Sequence, residues 1–275
     1  MQKKIAVIND LSGYGRCSLT VAIPVLSVMG HQCCPVPTAI LSNHTEFPVY
    51  FFDDYTEKMT AYTDKWKELG LSFDAVATGF LGSEAQIEIV MDMIRKLESE
   101  ETFIVVDPVM GDHGHAYETY TPEMCEQMKE LVCMADIVLP NVTECCILTD
   151  TPYKKENWTR RELLNMAMML RLMGAKSVVI TGVREGSYYT NVVLERGQME
   201  AKFIRTRSSG GERPGTGDVF SSVVAGALLN GKSLPEAVAQ AAGFVKECIK
   251  VSDEEQIPHA NGVCFEKILG KLIKK

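Results

Sequence analysis

Short runs of apolar residues, rich in valine and isoleucine, constrain the fold of this chain more than any other feature of its sequence. Strands buried on both faces of a parallel sheet have this composition, because helices cover both sides of such a sheet. The runs are separated by longer amphipathic stretches, so the alternation predicts a doubly wound α/β sheet. The five clearest runs are residues 5–8, 75–77, 103–106, 137–139 and 178–180.

The stretches between these runs carry an apolar residue at every third or fourth position, as an amphipathic helix requires. Between residues 186 and 205 the pattern alternates around a turn at Arg196-Gly197 instead, which predicts an antiparallel hairpin added to the sheet. No repeat or long Pro/Gly-rich linker interrupts the chain, so we expect one domain over residues 1–275. The predicted helices are residues 84–97, 160–173, 218–230, 235–250 and 262–273.

Charge and cysteine content limit the partners and the compartment. With 36 acidic and 28 basic residues the net charge is -8, whereas nucleic-acid binding needs clustered Lys and Arg. We therefore expect no nucleic-acid partner, although a helix N-terminus can still hold a small anion. We expect no membrane partner either, because no apolar segment is long enough for a span or a signal peptide. Nine cysteines without a C-x-x-C pair favour reduced thiols, which predicts a cytoplasmic protein.

Two matches to nucleotide-binding motifs are contradicted by their context. Gly13-Tyr14-Gly15 supplies the first two glycines of a dinucleotide fingerprint, but Ser18 stands at the position of the third. Residues 226–233 match the phosphate-loop pattern G-x-x-x-x-G-K-[ST], yet they follow a helical stripe, whereas a phosphate loop follows a strand. We interpret them as a helix end at Asn230-Gly231 and a capping box that begins the next helix at Ser233.

The segment Arg213-Pro214-Gly215-Thr216-Gly217-Asp218, directly before a predicted helix, is the strongest indication of catalysis. Its two glycines let backbone N–H groups turn toward an anion at the helix N-terminus. Asp218 could then take a proton from a hydroxyl while the amides hold a transferring phosphoryl group. The alternative is that Asp218 only caps the helix.

Further polar side chains follow two of the predicted strands. Asp107 comes directly after one strand, and Asn141 and Glu144 come directly after the next. Ligands of open α/β sheets bind beyond the carboxyl ends of the strands, and such acids suit a magnesium ion held largely through water. Helix capping is again the alternative for each acid.

The motifs N-x-x-E (Asn141 to Glu144) and G-T-G-D (Gly215 to Asp218) together resemble the ribokinase-like superfamily, whose members phosphorylate a hydroxyl with ATP and Mg²⁺. The runs 42–45 (Ser-Asn-His-Thr), 107–112 and 13–15 are similar to those of pyridoxal kinases. The resemblance covers residues 5–250. It implies a ribokinase-like three-layer α/β/α fold with a mostly parallel central sheet, an antiparallel hairpin and no separate lid domain.

The same resemblance implies an activity. The protein would use ATP and Mg²⁺, with a monovalent cation such as K⁺ as a further cofactor, to phosphorylate the 5'-hydroxymethyl group of pyridoxal, pyridoxine or pyridoxamine. It would act as a homodimer. Without a lid domain, the site would be closed by the loops 112–120 and 207–214.

Roles for individual residues are carried over with the motifs. Asp218 would be the catalytic base and a substrate contact, in an anion hole formed by Gly215, Thr216 and Gly217. Thr45 would line the pyridine pocket, and His44 is expected to be a structural hydrogen-bonder. Pyridoxal kinases carry a serine after the first strand, whereas this chain has Asn9-Asp10-Leu11-Ser12, so either Asp10 or Ser12 would contact the ring. The nucleotide site would comprise Asp107, Asn141, Glu144, Thr181, Gly215 and Gly217, with Asp107 and Glu144 at the metal.

Three alternative functions are compatible with the sequence. A hydroxymethylpyrimidine kinase would act on a similar heteroaromatic alcohol, but many such enzymes carry cysteine where this chain has Asp218. A sugar kinase is disfavoured, because no Gly-Gly-rich sugar-binding segment stands near the N-terminus. A non-catalytic nucleotide-binding regulator would need no base at position 218.

Overall fold

The computed structural model describes residues 2–99 and 101–273. Their strands are β1 (Lys4–Tyr14), β2 (Gln32–Asn43), β3 (Phe52–Asp54), β4 (Ala75–Thr78), β5 (Phe103–Val106), β6 (Gly111–Asp112), β7 (His115–Ala116), β8 (Ile137–Val138), β9 (Ser177–Glu185), β10 (Tyr188–Leu194) and β11 (Lys202–Arg207). Their α-helices are α1 (Ser18–Val28), α2 (Thr56–Glu68), α3 (Glu84–Leu97), α4 (Pro122–Cys133), α5 (Val142–Leu148), α6 (Arg160–Met173), α7 (Thr216–Leu229) and α8 (Leu234–Glu254).

Nine of these strands form one sheet in the order β11-β10-β9-β8-β5-β4-β1-β2-β3. The six central strands, from β9 to β2, are parallel to their neighbours. Both edges are antiparallel, because β3 pairs with β2 on one side and the β9-β10-β11 meander closes the other. The strands β6 and β7 form a separate two-stranded ribbon.

Two cores cover the two faces of the sheet. One contains Ala6 and Ile8 of β1 together with side chains of α2, α3, α4, α5 and α6. The other contains Ile5 and Val7 of the same strand together with side chains of α1, α7 and α8. This alternation along β1 is what a strand buried on both faces requires. The three-layer α/β/α architecture, with its mostly parallel sheet and its antiparallel hairpin, is therefore confirmed.

The predicted helices 84–97 and 160–173 agree with α3 and α6 at both ends. The C-terminal helix predicted over 262–273 is wrong, because that segment holds a 3₁₀ helix at Glu266–Leu272 after a stretch without regular secondary structure that begins at Gly262 (φ +72°). The prediction for residues 226–233 is confirmed: they end α7 and begin α8 with a Ser233–Glu236 capping box. Among the described residues no helix has the length and apolarity needed to cross a membrane.

Candidate active site

The N-terminus of α7 is left open. Its N-cap is Gly215 in the left-handed conformation (φ +77°), and no side chain caps it. The first N–H groups of a helix have no partner within the helix, so those of Thr216 and Gly217 are available to an anion. A Cβ atom at position 215 would lie 1.7 Å from the carbonyl oxygen of Arg16, so only glycine fits there. The residues predicted to form an anion hole thus lie together at a helix N-terminus.

Asp218 lies in the first turn of α7 and is half-buried. Burial raises the pKa of its carboxyl to about 6, against the opposing effects of the Ser18 backbone N–H and the Asn9 side chain. Asn9 Nδ2 donates to Asp218 Oδ1 over 3.2 Å. The carboxylate is therefore ionised at neutral pH but more basic than an exposed aspartate, which suits a general base.

Asn9 holds this carboxylate and was not selected by the sequence analysis. Its Oδ1 accepts the backbone N–H groups of Asp10 (3.0 Å) and Phe80 (2.9 Å), which fixes the amide plane and turns Nδ2 toward Asp218. A Cβ atom at Gly79 would lie 2.3 Å from Nδ2, so the glycine provides the space for this amide. The only sequence signal was a polar residue directly after the first apolar run.

Asp10 and Ser12, the two alternatives for the ring contact, are joined to each other. The first strand is longer than predicted and runs to Tyr14, so both residues lie inside β1 and not after it. Ser12 Oγ donates to Asp10 Oδ2 over 2.8 Å, and the Ser18 hydroxyl donates to Oδ1. Asp10 is 6% exposed, and burial raises the pKa of its carboxyl. The two candidates therefore form one hydrogen-bonded unit.

His44 and Thr45 follow β2 and have different surroundings. His44 is buried, its Nε2 lies 2.6 Å from the carbonyl oxygen of Ala260, and its ring fills the space that a Cβ atom at Gly15 would need. This is the structural hydrogen-bonding role expected for it. Thr45 is exposed beside it. The ring of the neighbouring Phe47 packs on the His44 ring, with 4.7 Å between the ring centroids. The sequence analysis did not select this aromatic residue.

Asn141 and Glu144 form a complete capping box at the N-terminus of α5. Glu144 is 4% exposed, and its two oxygens accept the backbone N–H groups of Met110 (3.1 Å) and Asn141 (2.7 Å). Asn141 Oδ1 accepts the N–H of Glu144 over 2.9 Å, and its Nδ2 donates to Gly111 O over 2.8 Å. Burial raises the pKa of Glu144 to about 7. The helix-capping alternative is thus realised by these two residues.

Asp107 lies directly after β5, and the charges of Glu144 and Asp218 both act on its carboxyl group. It is half-buried, and burial together with these two carboxylates raises its pKa well above the usual value. Over residues 2–99 and 101–273 there is no group of three His, Cys, Asp or Glu side chains placed to hold a metal ion directly. The donor set fits a divalent cation that neutralises the acids while bound mostly through water and phosphate oxygens.

Thr181 and the two predicted closing loops border this site. Thr181 lies within β9 and not after a strand, and its N–H donates to Pro140 O over 2.8 Å, so it is next to Asn141. The loops 112–120 and 207–214 meet where His113 Nε2 lies 3.6 Å from Glu212 Oε2. His259 Nε2 lies 2.8 Å from the backbone oxygen of Glu212. This contact between the loops is compatible with their predicted part in closing the site.

Comparisons with known proteins bear on this arrangement. Residues 23–264 match a family described as phosphomethylpyrimidine kinase. A pyridoxine/pyridoxal/pyridoxamine kinase of Bordetella avium is 26% identical over 260 residues, which cover 89% of this chain and 84% of the relative.

Two solved structures are similar over almost the whole chain. One is a Bacteroides thetaiotaomicron protein provisionally named a phosphomethylpyrimidine kinase and crystallised with pyridoxal, with a TM-score of 0.94 and 40% identity over 99% of this chain and 96% of that chain. The other is pyridoxal kinase from Lactobacillus plantarum, with a TM-score of 0.91 and 27% identity over 99% of this chain and 97% of that chain.

Proposed function

Because the chain belongs to the phosphomethylpyrimidine kinase family, we propose that it transfers the γ-phosphoryl group of ATP to the hydroxymethyl oxygen of pyridoxal, pyridoxine or pyridoxamine. The chain is a kinase with a ribokinase-like fold. The observation that carries the proposal is Asp218 placed beside the open N-terminus of α7. The names of the relatives and the pyridoxal held by the Bacteroides protein favour a vitamin B6 substrate over other alcohols.

The reaction follows from the positions of these groups. Asp218 takes the proton of the hydroxymethyl group as its oxygen attacks the γ-phosphorus, and the bond from that phosphorus to the oxygen of ADP breaks. The N–H groups of Gly215, Thr216 and Gly217 stabilise the negative charge on the phosphoryl oxygens during transfer. Thr216 acts through its backbone, because its hydroxyl donates to Arg213 O over 3.0 Å. Asn9 orients the base toward the alcohol.

We also propose that a magnesium ion is held near Asp107 and Glu144. Asp107 is the better placed of the two, because each oxygen of Glu144 already accepts a backbone N–H. When bound, Mg²⁺ would neutralise the charge of the ATP phosphates. Asn141 and Thr181, which lie side by side, would border the nucleotide. A titration of activity with Mg²⁺ and K⁺ tests the ion requirement, and an enzyme fully active after chelation would exclude the metal.

We assign the ring contact to Asp10 and Ser12 as a pair. The side-chain hydrogen bonds to this buried carboxylate come from the hydroxyls of Ser12 and Ser18, which are neutral, and a protonated ring nitrogen or an amine would supply a positive charge beside it. Thr45 and the Phe47 ring would border the same pocket. Asp10→Asn is expected to raise the KM for the vitamers about tenfold with the KM for ATP unchanged. An equal rise of both KM values would contradict this contact.

One assay decides between the substrate classes. ADP release is measured side by side with the three vitamers, hydroxymethylpyrimidine and ribose, each over a range of concentrations. We expect the highest kcat/KM with a vitamer. Hydroxymethylpyrimidine is the alternative that the family description favours, and a higher kcat/KM for it than for every vitamer would overturn the assignment. ATP bound without turnover of any alcohol would favour the regulator.

We also propose that the protein is a homodimer, joined through the β3 edge of the sheet. Residues 49–52 (Val-Tyr-Phe-Phe) are 43–78% exposed, with Ile40 and Tyr14 exposed nearby. Exposed apolar side chains grouped in this way mark interaction surfaces, and a specific interface buries about 1,200 Å² or more in total. β3 is the last strand of the described sheet on this side, and an edge strand presents backbone N–H and C=O groups with which a second copy can pair.

Sedimentation tests this interface. Phe51→Ser is expected to give monomers at micromolar concentration, whereas the control Leu172→Ser, in a side chain 87% exposed on α6, leaves the dimer intact. A monomeric wild type would overturn the proposal. A single domain over residues 1–275 and a cytoplasmic location remain parts of the proposal, on the grounds of composition and sequence pattern.

A further inference from the structure

A small cavity lies beneath Asp218, between the central sheet and the helices α1 and α7. The volume that the centre of a water molecule can occupy in it is about 20 Å³. A buried site needs about 10–15 Å³ of such volume to hold one water. Leu26 of α1, Val105 of β5 and Ala225 of α7 contribute apolar walls. Asn9, Thr78 and Asp218 contribute polar groups, so the cavity is not purely apolar.

Two of these polar groups have unused hydrogen-bonding capacity. Thr78 of β4 is 5% exposed, and its hydroxyl is buried without a hydrogen-bond partner within the described parts of the chain. The amide nitrogen of Asn9 carries two hydrogens, of which one is donated to Asp218. A buried polar group without a partner is unfavourable, which favours a polar ligand here.

We infer that this cavity is a binding site for one water molecule, which accepts a hydrogen bond from Asn9 Nδ2, bonds the Thr78 hydroxyl and donates to the Asp218 carboxylate. Three hydrogen bonds are the usual number for a buried water. The water supports the carboxylate from the side that faces the core, so that its other oxygen keeps its direction toward the alcohol. Thr78 is then a positioning residue that acts on the base through solvent. This kinetic role rests on the proposed function, whereas the water site does not.

Crystallography tests the site without any substrate. A structure of the full chain at about 1.5 Å resolution is expected to show one ordered water within hydrogen-bonding distance of Thr78 Oγ1 and the Asp218 carboxylate. Ala225→Val keeps every polar group but fills the space, so its structure is expected to lack this water. A wild-type cavity without ordered density would overturn the inference, whichever alcohol the enzyme phosphorylates.

Kinetics test the role of the water. Thr78→Val removes one partner of the water, and Ala225→Val displaces it, so each is expected to lower kcat about three- to tenfold with both KM values unchanged. The control is Ala227→Val, a buried position of the same helix that does not line the cavity, which is expected to retain kcat. Equal kcat values in all three variants would contradict the positioning role. If a variant failed to fold, the wild-type crystal structure would still decide whether the water is there.

Discussion

The helices α5 and α7 both begin near the carboxyl edge of the sheet with an acid in the first turn, but only one of these N-termini is free. At α5 the side chains of Asn141 and Glu144 form a capping box that satisfies the backbone. At α7 the cap is a glycine without a side chain, and Asp218 is turned toward Asn9 of β1. A closed N-terminus stabilises the fold, whereas an open one is available to a phosphate.

The two acids differ in the same way. Burial raises the pKa of both, to about 6 for Asp218 and about 7 for Glu144. Glu144 gives both oxygens to backbone N–H groups, but Asp218 remains half-buried at the surface of the site. A raised pKa alone therefore does not identify the base. The base is identified by the hydrogen-bond partners of the carboxylate and by the exposure of one side of it to the site.

Asp218→Asn is the substitution with the largest expected effect. The amide keeps the shape of the side chain but cannot take a proton, so kcat is expected to fall by about 10²–10⁴-fold. ATP binding, measured by calorimetry, is expected to persist because the N–H groups of α7 remain. Unchanged turnover in this variant would remove Asp218 from the role of base and would make the two N-termini equivalent.

Gly215→Ala tests the open N-terminus itself. The new Cβ would meet the carbonyl oxygen of Arg16 at a φ of +77°, so the backbone must shift and the N–H groups lose their alignment. Steady-state assays are expected to show a loss in kcat of about 10²-fold. The control is Gly231→Ala, with φ of +86° and no neighbour within 4 Å, which adds strain without displacing the site. Similar activities in the two variants would contradict the anion hole.

Glu144→Ala tests the closed N-terminus. It leaves the N–H groups of Met110 and Asn141 without acceptors in a buried place, so the free energy of unfolding is expected to fall by about 2–4 kcal/mol. The matched control is Glu162→Ala in the exposed Thr159–Glu162 capping box of α6, where water replaces the lost acceptor. Chemical denaturation compares the two. A small loss at both positions would show that burial does not distinguish them.

The layers of the fold could be predicted from the sequence because periodicity reports burial directly. Helix α3 has both an apolar stripe and a Ser83 cap, and its two ends were predicted correctly. The length of β1 could not be predicted, since Asn9, Asp10 and Ser12 are polar residues buried by hydrogen bonds and not by apolar packing. The α-helix predicted for the C-terminal segment was wrong because the spacing of its apolar residues is compatible with a 3₁₀ helix as well as with an α-helix.

The candidate site was predictable only where local sequence encodes local structure. The glycines and the acid of residues 215–218 are adjacent in the chain, so the motif alone indicates an anion site. Asn9 contacts Asp218 across 209 positions, and a contact at that separation depends on the assembled sheet and helices. The hydrogen bond from the Ser18 hydroxyl to Asp10 likewise requires β1 to extend beyond its apolar run, residues 5–8.

A smaller effect is expected in the pH dependence of the wild type. Asp218 acts as a base only when ionised, so kcat/KM is expected to fall about tenfold per pH unit as the pH drops below about 6. Carboxylates of ordinary pKa would keep the enzyme active to about pH 4. Initial rates between pH 4.5 and 8, with stability monitored at each pH, locate this limb. A limb near pH 4 would show that burial does not raise the pKa of the base.

The smallest expected effect is on stability, and it follows from the same pKa. Between about pH 4 and 6 the folded protein binds more protons at Asp218 than the unfolded chain does, so this group lowers stability as the pH rises through that window. Above pH 6 the ionised carboxylate carries the full penalty. Asp218→Asn is therefore expected to be more stable than wild type at pH 8 by on the order of 1 kcal/mol, and the difference should shrink at pH 5. Thermal unfolding at the two pH values measures it, and a variant less stable at pH 8 would mean that hydrogen bonds, not burial, dominate at the open N-terminus.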